Sequence, residues 1–467
     1  MMNDDELLVS FFVSKTTSTS TDDVSSSVRR PLRKGVSSKG RPSKPERRPE
    51  QTRQKNWPST RARTILSWLI HSGVVSLNEV IQFQNPEDNA VLKQSIITKN
   101  GLLCTCCNKT LSISDFSAHA GLNSKWPCMS LFMEYGKSLI LCQLEAWSAE
   151  YKEKKSPGEF SQVDEGDDIC GKCGLEGELV MCDNCPAAFH QACLSEQIPE
   201  GNWYCLQCRC LTCWDVVSDQ TASFSAGTLR CSLCKHSYHE TCIEGKYARI
   251  GSSHKWFCGV SCHKIYKGLQ SRVGLMNDIS DGTSWRLLQC INGDFKAHSS
   301  MDFLALKAEC NSRLAVAITV IEDYFLQMVD PKTKIDMIPQ TIYNWGSQFP
   351  RLDFEGFFTI VLEKEDVMVS VASIRIHGRD VAELPFVATC RKFRKRGMSR
   401  LLLSSIEEML KASKVEKLVL PASSPELVQT WTNKFGFQHL DEDDKISLKK
   451  VNFMLLPNST WLKKPLV

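Results

Sequence analysis

The chain has 467 residues, 42% of them hydrophobic, which is enough for several separate cores. Its net charge of +4 conceals an asymmetry: from Arg29 to Arg63, 13 Lys/Arg stand against two acids, so that segment carries +11 and the rest carries −7. No apolar run reaches the ~18 residues of a membrane span, and the start MMNDDELLVSFFVSK has acids where a signal peptide needs positive charge, so a soluble intracellular protein with no membrane partner is expected.

Residues 1–63 are rich in Ser/Thr, Pro and Lys/Arg without apolar periodicity, and read as a disordered basic arm. Within it, Lys39-Gly-Arg-Pro42 resembles the core of an AT-hook, a segment that lies in the minor groove of A·T-rich DNA. Arg29-Arg-Pro-Leu-Arg-Lys34 reads equally as an import signal, and both alternatives fit a nuclear protein. Residues 64–150 form a small α/β Cys/His-containing domain: TILSWLIHSGVV has helical spacing broken at Gly73. There Cys104, Cys106, Cys107 and His119 could hold one zinc, with Cys128 a further candidate ligand, but buried thiols in a small core account for them equally well. The segment resembles a small domain that precedes the zinc fingers of certain plant nuclear proteins, which makes it a docking place for other nuclear regulators.

A charged linker leads into the cysteine-dense region. In a reducing compartment, 22 cysteines are more naturally metal ligands than disulfides. The first unit, residues 166–209, reads Cys170-x2-Cys173-x8-Cys182-x2-Cys185-x4-His190-x2-Cys193-x11-Cys205-x2-Cys208, with Trp203 two before Cys205. Zinc takes four tetrahedral thiolate or imidazole ligands, and about forty residues bury too little apolar surface to fold without it. This C4HC3 order resembles a PHD finger. The resemblance implies interleaved pairs, with Cys170, Cys173, His190 and Cys193 on one ion and Cys182, Cys185, Cys205 and Cys208 on the other. The second unit, residues 210–264, repeats the order with longer loops in Cys210, Cys213, Cys231, Cys234, His239, Cys242, Cys258 and Cys262. It resembles a divergent PHD finger, with His263 an alternative to Cys262; the two fingers together imply about four zinc ions.

PHD fingers bind the histone H3 N-terminal tail as an added β-strand. In finger 1, Asp167, Asp168, Glu176 and Glu178 are the candidate histone-binding residues, since carboxylates suit an unmodified ammonium and an arginine fork. A trimethylated lysine would need an aromatic cage instead.

After a connecting segment, 265–299, residues 300–456 read as α/β, followed by a tail, 457–467. FFTIVLEKEDVMVSVASIRI is a hairpin, LPFVAT a strand and EKLVLP another; MSRLLLSSIEEMLKAS puts Leu402, Ile406, Met409 and Leu410 on one helical face, and PELVQTWTNKFGF is a helix ending at Gly436. Between LPFVAT and the first helix lies Phe393-Arg-Lys-Arg-Gly-Met-Ser-Arg400, a basic loop at a helix start that can receive a pyrophosphate.

Arg394-Lys395-Arg396-Gly397-Met398-Ser399 resembles the acetyl-CoA loop of GNAT (acyl-CoA N-acyltransferase) enzymes, with Ser399 where that family has Gly or Ala. The resemblance implies acetyl-CoA bound by this loop and by the strand residues Phe386, Val387 and Ala388. It also implies a general base at Glu383, fourteen residues before Gly397, with a pKa raised by burial; His377 is a second candidate. The usual tyrosine acid is replaced by Thr432. The expected fold class is therefore multidomain: disordered arm, small α/β Cys/His domain, tandem zinc-bound PHD fingers and a GNAT-like domain. The order of motifs resembles plant nuclear proteins of the Increased DNA Methylation type. That implies a nuclear chromatin regulator that binds the H3 tail and acetylates histone lysines, affecting transcription or DNA methylation; the alternative is a non-enzymatic adaptor whose GNAT-like domain is degenerate.

Overall fold

The computed structural model describes residues 62–122, 124–155, 166–194, 198–217, 228–243, 255–292 and 300–466. The basic arm up to residue 61, with its AT-hook-like and import-like runs, lies outside the described residues. The arm's expected end at 63 is corrected: Ala62 is buried and the Arg63 guanidinium pairs with Asp323, so both belong to the fold.

The N-terminal domain comprises α1 (Ile65–His71), β1 (Val80–Gln84), β2 (Val91–Thr98), β3 (Gly101–Cys104), β4 (Thr110–Leu111), α2 (Ile113–His119), β5 (Leu131–Met133) and α3 (Leu139–Lys154), with a five-stranded sheet in the order β4-β3-β2-β1-β5. Thr64 caps α1 through a reciprocal pair with Ser67, and Ser138 caps α3. Each finger contributes one two-stranded sheet: β6 (Val180–Met181) with β7 (Ala188–Phe189), and β8 (Thr228–Arg230) with β9 (Ser237–His239). Helix α4 (Val260–Gln270) closes the second finger.

The remaining elements are β10 (Met276–Ser280), β11 (Thr283–Leu288), α5 (Met301–Glu322), α6 (Met337–Ile342), β12 (Phe357–Lys364), β13 (Val367–His377), β14 (Val381–Thr389), α7 (Met398–Ala412), β15 (Lys417–Ala422), α8 (Pro425–Phe435), β16 (Gln438–His439), α9 (Glu442–Leu448) and β17 (Thr460–Pro465). One sheet of eight strands runs in the order β10-β11-β12-β13-β14-β15-β17-β16. Two expected boundaries are corrected by it. The hairpin β10–β11, assigned to a connecting segment, and β17, assigned to a tail, are strands of this sheet, and β17 sits between β15 and β16. The predicted hairpin, the LPFVAT and EKLVLP strands and both helices stand where the sequence placed them.

Helix α5 buries residues on every side, from Ala305 to Ile321, because it lies between the sheet and α3. Its apolar residues form no stripe, which is why helical periodicity did not reveal it. The N-terminal domain, the second finger and the large sheet share one continuous apolar core, whereas the first finger has its own small cluster around Ala187 and Trp203.

Candidate functional site

In each finger the cysteines occupy tight turns that the backbone closes by itself. Cys170 N–H donates to Leu175 O at 2.9 Å and Gly174 N–H to Cys170 O at 2.9 Å, with Gly174 at φ +73°, a conformation glycine adopts without a Cβ clash. The expected interleaving is present. Four groups, Cys170/Cys173/His190/Cys193, Cys182/Cys185/Cys205/Cys208, Cys210/Cys213/His239/Cys242 and Cys231/Cys234/Cys258/Cys262, each bring their ligand atoms within 4.8 Å of one another. His263 stands outside these groups, stacked near Phe257, so Cys262 takes the last place. Thiolate-rich sets of four suit zinc.

Of the four acids assigned to histone contact, Asp168, Glu176 and Glu178 are exposed on finger 1. Asp168 pairs with Lys332 at 2.8 Å. Asp167 is a correction. It is 2% exposed and accepts from Arg351 Nε at 2.5 Å and Nη2 at 3.0 Å, while Arg351 also pairs with the buried Asp330. Burial alone would push Asp330 up, but Arg351 and Thr333 hold it below the ordinary carboxylate range. Asp167 thus fastens finger 1 to the large domain and is not available to a peptide. Among the described residues β6 pairs only with β7, leaving its other edge to receive a strand.

In the large domain the central event is a split in the sheet. The parallel pairing of β14 with β15 covers only Val381–Glu383 and Lys417–Val419. Just beyond lie Pro385 and Pro421, which have no N–H to donate and so cannot continue the ladder. The strands part, and the gap is lined by Phe325, Leu384, Pro385, Val387, Leu420 and Trp431. Next to it α7 begins at Gly397, which has φ +76° and open space where a Cβ would stand. Lys395, also at positive φ, and Arg396 are exposed. Arg394 stacks its guanidinium 4.8 Å from the Tyr324 ring, and its buried Nη2 has no hydrogen-bond partner. An unpartnered buried donor beside an open glycine is what a bound phosphate would complete.

Other expected cofactor contacts differ. Phe386 and Ala388 are fully buried, Phe386 against Phe325, so their side chains belong to the core and Val387 alone of the three lines the gap. The Ser399 hydroxyl points inward to Thr389 Oγ1 at 2.8 Å, which continues to Ser370 at 2.7 Å. Small size at this position therefore serves packing of the helix start.

Glu383 is the last residue of β14 paired with β15, at the mouth of the split, and is wholly buried. Its Oε1 accepts from Arg375 Nε at 2.6 Å and His377 Nε2 at 2.8 Å; its Oε2 accepts the Met454 N–H at 2.9 Å. The expected upward pKa shift is corrected. Burial does push this carboxyl up, but the Arg375 charge, His377 and the Met454 N–H outweigh it and leave it below its usual range. His377 is itself pushed down by burial. Residues 449–454 lie across this cage: Asn452 O accepts from Arg375 Nη2 at 2.7 Å, and the Lys449 and Val451 carbonyls accept from Lys172 of finger 1 at 2.5 and 3.0 Å. Arg351 and this strap were missed by motif reading, since each acts through partners tens to hundreds of residues away; Arg375 lies only eight residues before Glu383 but belongs to no motif that names it. A cavity of about 610 Å³ lies elsewhere, between Trp126, Met276 and Arg286.

Three family descriptions match this chain: PHD-finger over residues 168–208, Tify domain binding domain over 95–146, and Increased DNA methylation 1, C-terminal domain, over 325–465. Residues 168–208 thus match a PHD finger, and residues 325–465 match the Increased DNA methylation 1 C-terminal domain. Among individual proteins it is similar to Increased DNA methylation 1 of Arabidopsis thaliana, with 53% identity over 418 residues, covering 88% of this chain and 35% of that relative. The chain therefore spans about a third of that relative's length. Forty residues of the chain, 9% of it, are also similar to the mouse histone-lysine N-methyltransferase, H3 lysine-36 specific, at 58% identity over 2% of that protein. The crystal structure of Tetrahymena GCN5 overlaps 34% of this chain and 89% of its own at 12% identity and a TM-score of 0.26, too low to carry an argument.

Proposed function

We propose that this chain is a nuclear chromatin regulator that binds the unmodified H3 tail through finger 1 and acetylates histone lysines with acetyl-CoA, through a domain of GNAT type. The matched PHD finger, with its open β6 edge flanked by Glu176 and Glu178, supports the first part. Fingers 1 and 2 together would hold four zinc ions, one for each set of four ligands. The N-terminal domain, which matches the Tify domain binding description, would dock a regulator bearing such a domain.

The observation that carries the catalytic part is the split between β14 and β15, placed beside the α7 start with its open Gly397 and unpartnered Arg394 Nη2. Acetyl-CoA, when bound, supplies an activated acetyl thioester. Lys395, Arg396 and Arg394 would meet its phosphates, and the free edge of β14 beyond Glu383 would hold its acyl arm. A lysine nitrogen that had given up its ammonium proton would form the C–N bond as the C–S bond breaks, with the coenzyme A thiolate leaving and taking up the second proton of that nitrogen. Glu383, as base, would accept the ammonium proton only with residues 449–454 displaced, because it is wholly buried and its Oε2 already accepts the Met454 N–H while Arg375 and His377 occupy Oε1.

That cage favours the second reading, a histone-tail reader whose acetyltransferase-like domain only binds the cofactor or serves as an adaptor. Calorimetry with acetyl-CoA and acetyl transfer to H3 and H4 peptides decide between them. Binding and transfer by the wild type, abolished by Gly397→Asp, support the enzyme. Binding without transfer, unaltered by Glu383→Gln, supports the adaptor, and absence of binding ends the acyl-CoA reading altogether.

A further inference from the structure

The turn that joins β3 to β4 in the N-terminal domain repeats, bond for bond, the cysteine turns of the fingers. Cys104 N–H donates to Lys109 O at 2.9 Å, and Asn108 N–H donates to Cys104 O at 2.9 Å, with Asn108 at φ 54°. The finger turns have the same pattern. Cys210 N–H reaches Asp215 O and Trp214 N–H returns to Cys210 O, both at 2.8 Å, with Trp214 at φ 66°. Cys231 N–H reaches His236 O at 2.9 Å and Lys235 N–H returns to Cys231 O at 3.0 Å, with Lys235 at φ 63°. The second cysteine of each pair stands three residues on, at Cys173, Cys213 and Cys234, and here at Cys107.

Two more ligands complete the set. His119, the last residue of α2, places Nε2 3.1 Å from Cys106 Sγ, and Cys106 Sγ lies 3.2 Å from Cys104 Sγ. The four ligand atoms of Cys104, Cys106, Cys107 and His119 all lie within 4.8 Å of one another, as in the fingers. Cys128 is excluded: it is buried away from this group, with Glu309 and Arg313 among the groups that act on it. We infer that Cys104, Cys106, Cys107 and His119 form a structural zinc site in the N-terminal domain, additional to those of the fingers. Three thiolates and one neutral imidazole around a divalent ion leave one net negative charge, and Lys93 Nζ stands 3.6 Å from Cys106 Sγ to offset it. The ion would tie the C-terminal end of α2 to the β3–β4 hairpin, closing a domain whose sheet is otherwise held at that edge by a two-residue strand.

The test is the metal content of the full purified chain, measured by mass spectrometry after dialysis against zinc-free buffer. The reading of the fingers sets the total, so the difference between wild type and variant is the readout and stands whether or not both fingers are fully loaded. His119→Ala and Cys104→Ser are expected to hold one zinc fewer than wild type, and His119→Cys to retain the full number. With cobalt substituted for zinc, His119→Cys should also shift the ligand-field bands of one site from a three-sulfur, one-nitrogen pattern to a four-sulfur one. Equal zinc in wild type and His119→Ala overturns the site, as does loss of one zinc in a folded His119→Cys.

Discussion

The two fingers use the same ligand order but stand in different surroundings. Finger 1 keeps a private apolar cluster and is joined to the large domain through polar links, Asp167–Arg351, Asp168–Lys332 and Lys172 to the 449–451 carbonyls. Finger 2 places Leu233, Tyr238 and Trp256 in the main core and adds ion pairs from Arg230 to Asp353 and Lys235 to Glu355. One ligand order thus stands in two settings. A finger with a free strand edge and exposed acids can read a peptide, while one sunk into its neighbour braces the domain that neighbour belongs to.

Removing a ligand from each finger separates these tasks most sharply. Cys231→Ser should lower the main thermal transition of the whole chain by on the order of 10 °C, because the metal and the shared core are lost together. Cys182→Ser should leave that transition within roughly 2 °C and abolish only H3-peptide binding. Equal effects of the two substitutions on calorimetric melting would erase the distinction.

The next effect concerns the buried ion pairs. Glu383→Gln leaves Arg375 without its anionic partner inside the protein and should cost about 3 kcal/mol in denaturant unfolding. Asp167→Ala should cost somewhat less, about 2 kcal/mol, because Asp330 still pairs with Arg351, but it should also loosen finger 1 and raise hydrogen exchange there. A smaller loss follows from acid. Glu383 and Asp330 have folded pKa values below the ordinary carboxylate range, so the unfolded chain binds their protons first as pH falls. Their stabilisation is complete above about pH 4.5, and is lost progressively below it, as pH drops through the folded values. Urea midpoints measured from pH 6 to pH 3 should fall in that range, and by less in Glu383→Gln. The smallest effect is at the surface: Glu176→Lys with Glu178→Lys should weaken H3-peptide binding by roughly five- to tenfold in a titration, about 1 kcal/mol, with melting unchanged.

The legible parts of this molecule are those whose cause is local. Cys170, Cys173, His190 and Cys193 were legible as ligands because each Cys-x2-Cys and His-x2-Cys spacing is local, while the grouping of these four on one ion followed from the resemblance to PHD fingers. The strand–loop–helix around Gly397 was readable because a short apolar run, a glycine and a period of 3.6 follow one another within thirty residues. Less was readable at Glu383, where chain position suggested a poised base and the neighbours supplied a cage. Helix α5 went unseen because burial on all sides erases the periodicity that marks a half-exposed helix.

The sequence by itself determined the ligand turns, the basic loop at the start of α7 and the alternation of strands and helices, since each depends on residues a few places apart. Only the tertiary structure decided that Asp167 belongs to Arg351, that residues 449–454 cover Glu383, that Pro385 and Pro421 face one gap, and that finger 2 joins the main core. Those outcomes depend on charges and backbone groups brought together from distant parts of the chain, where burial sets what each group is worth.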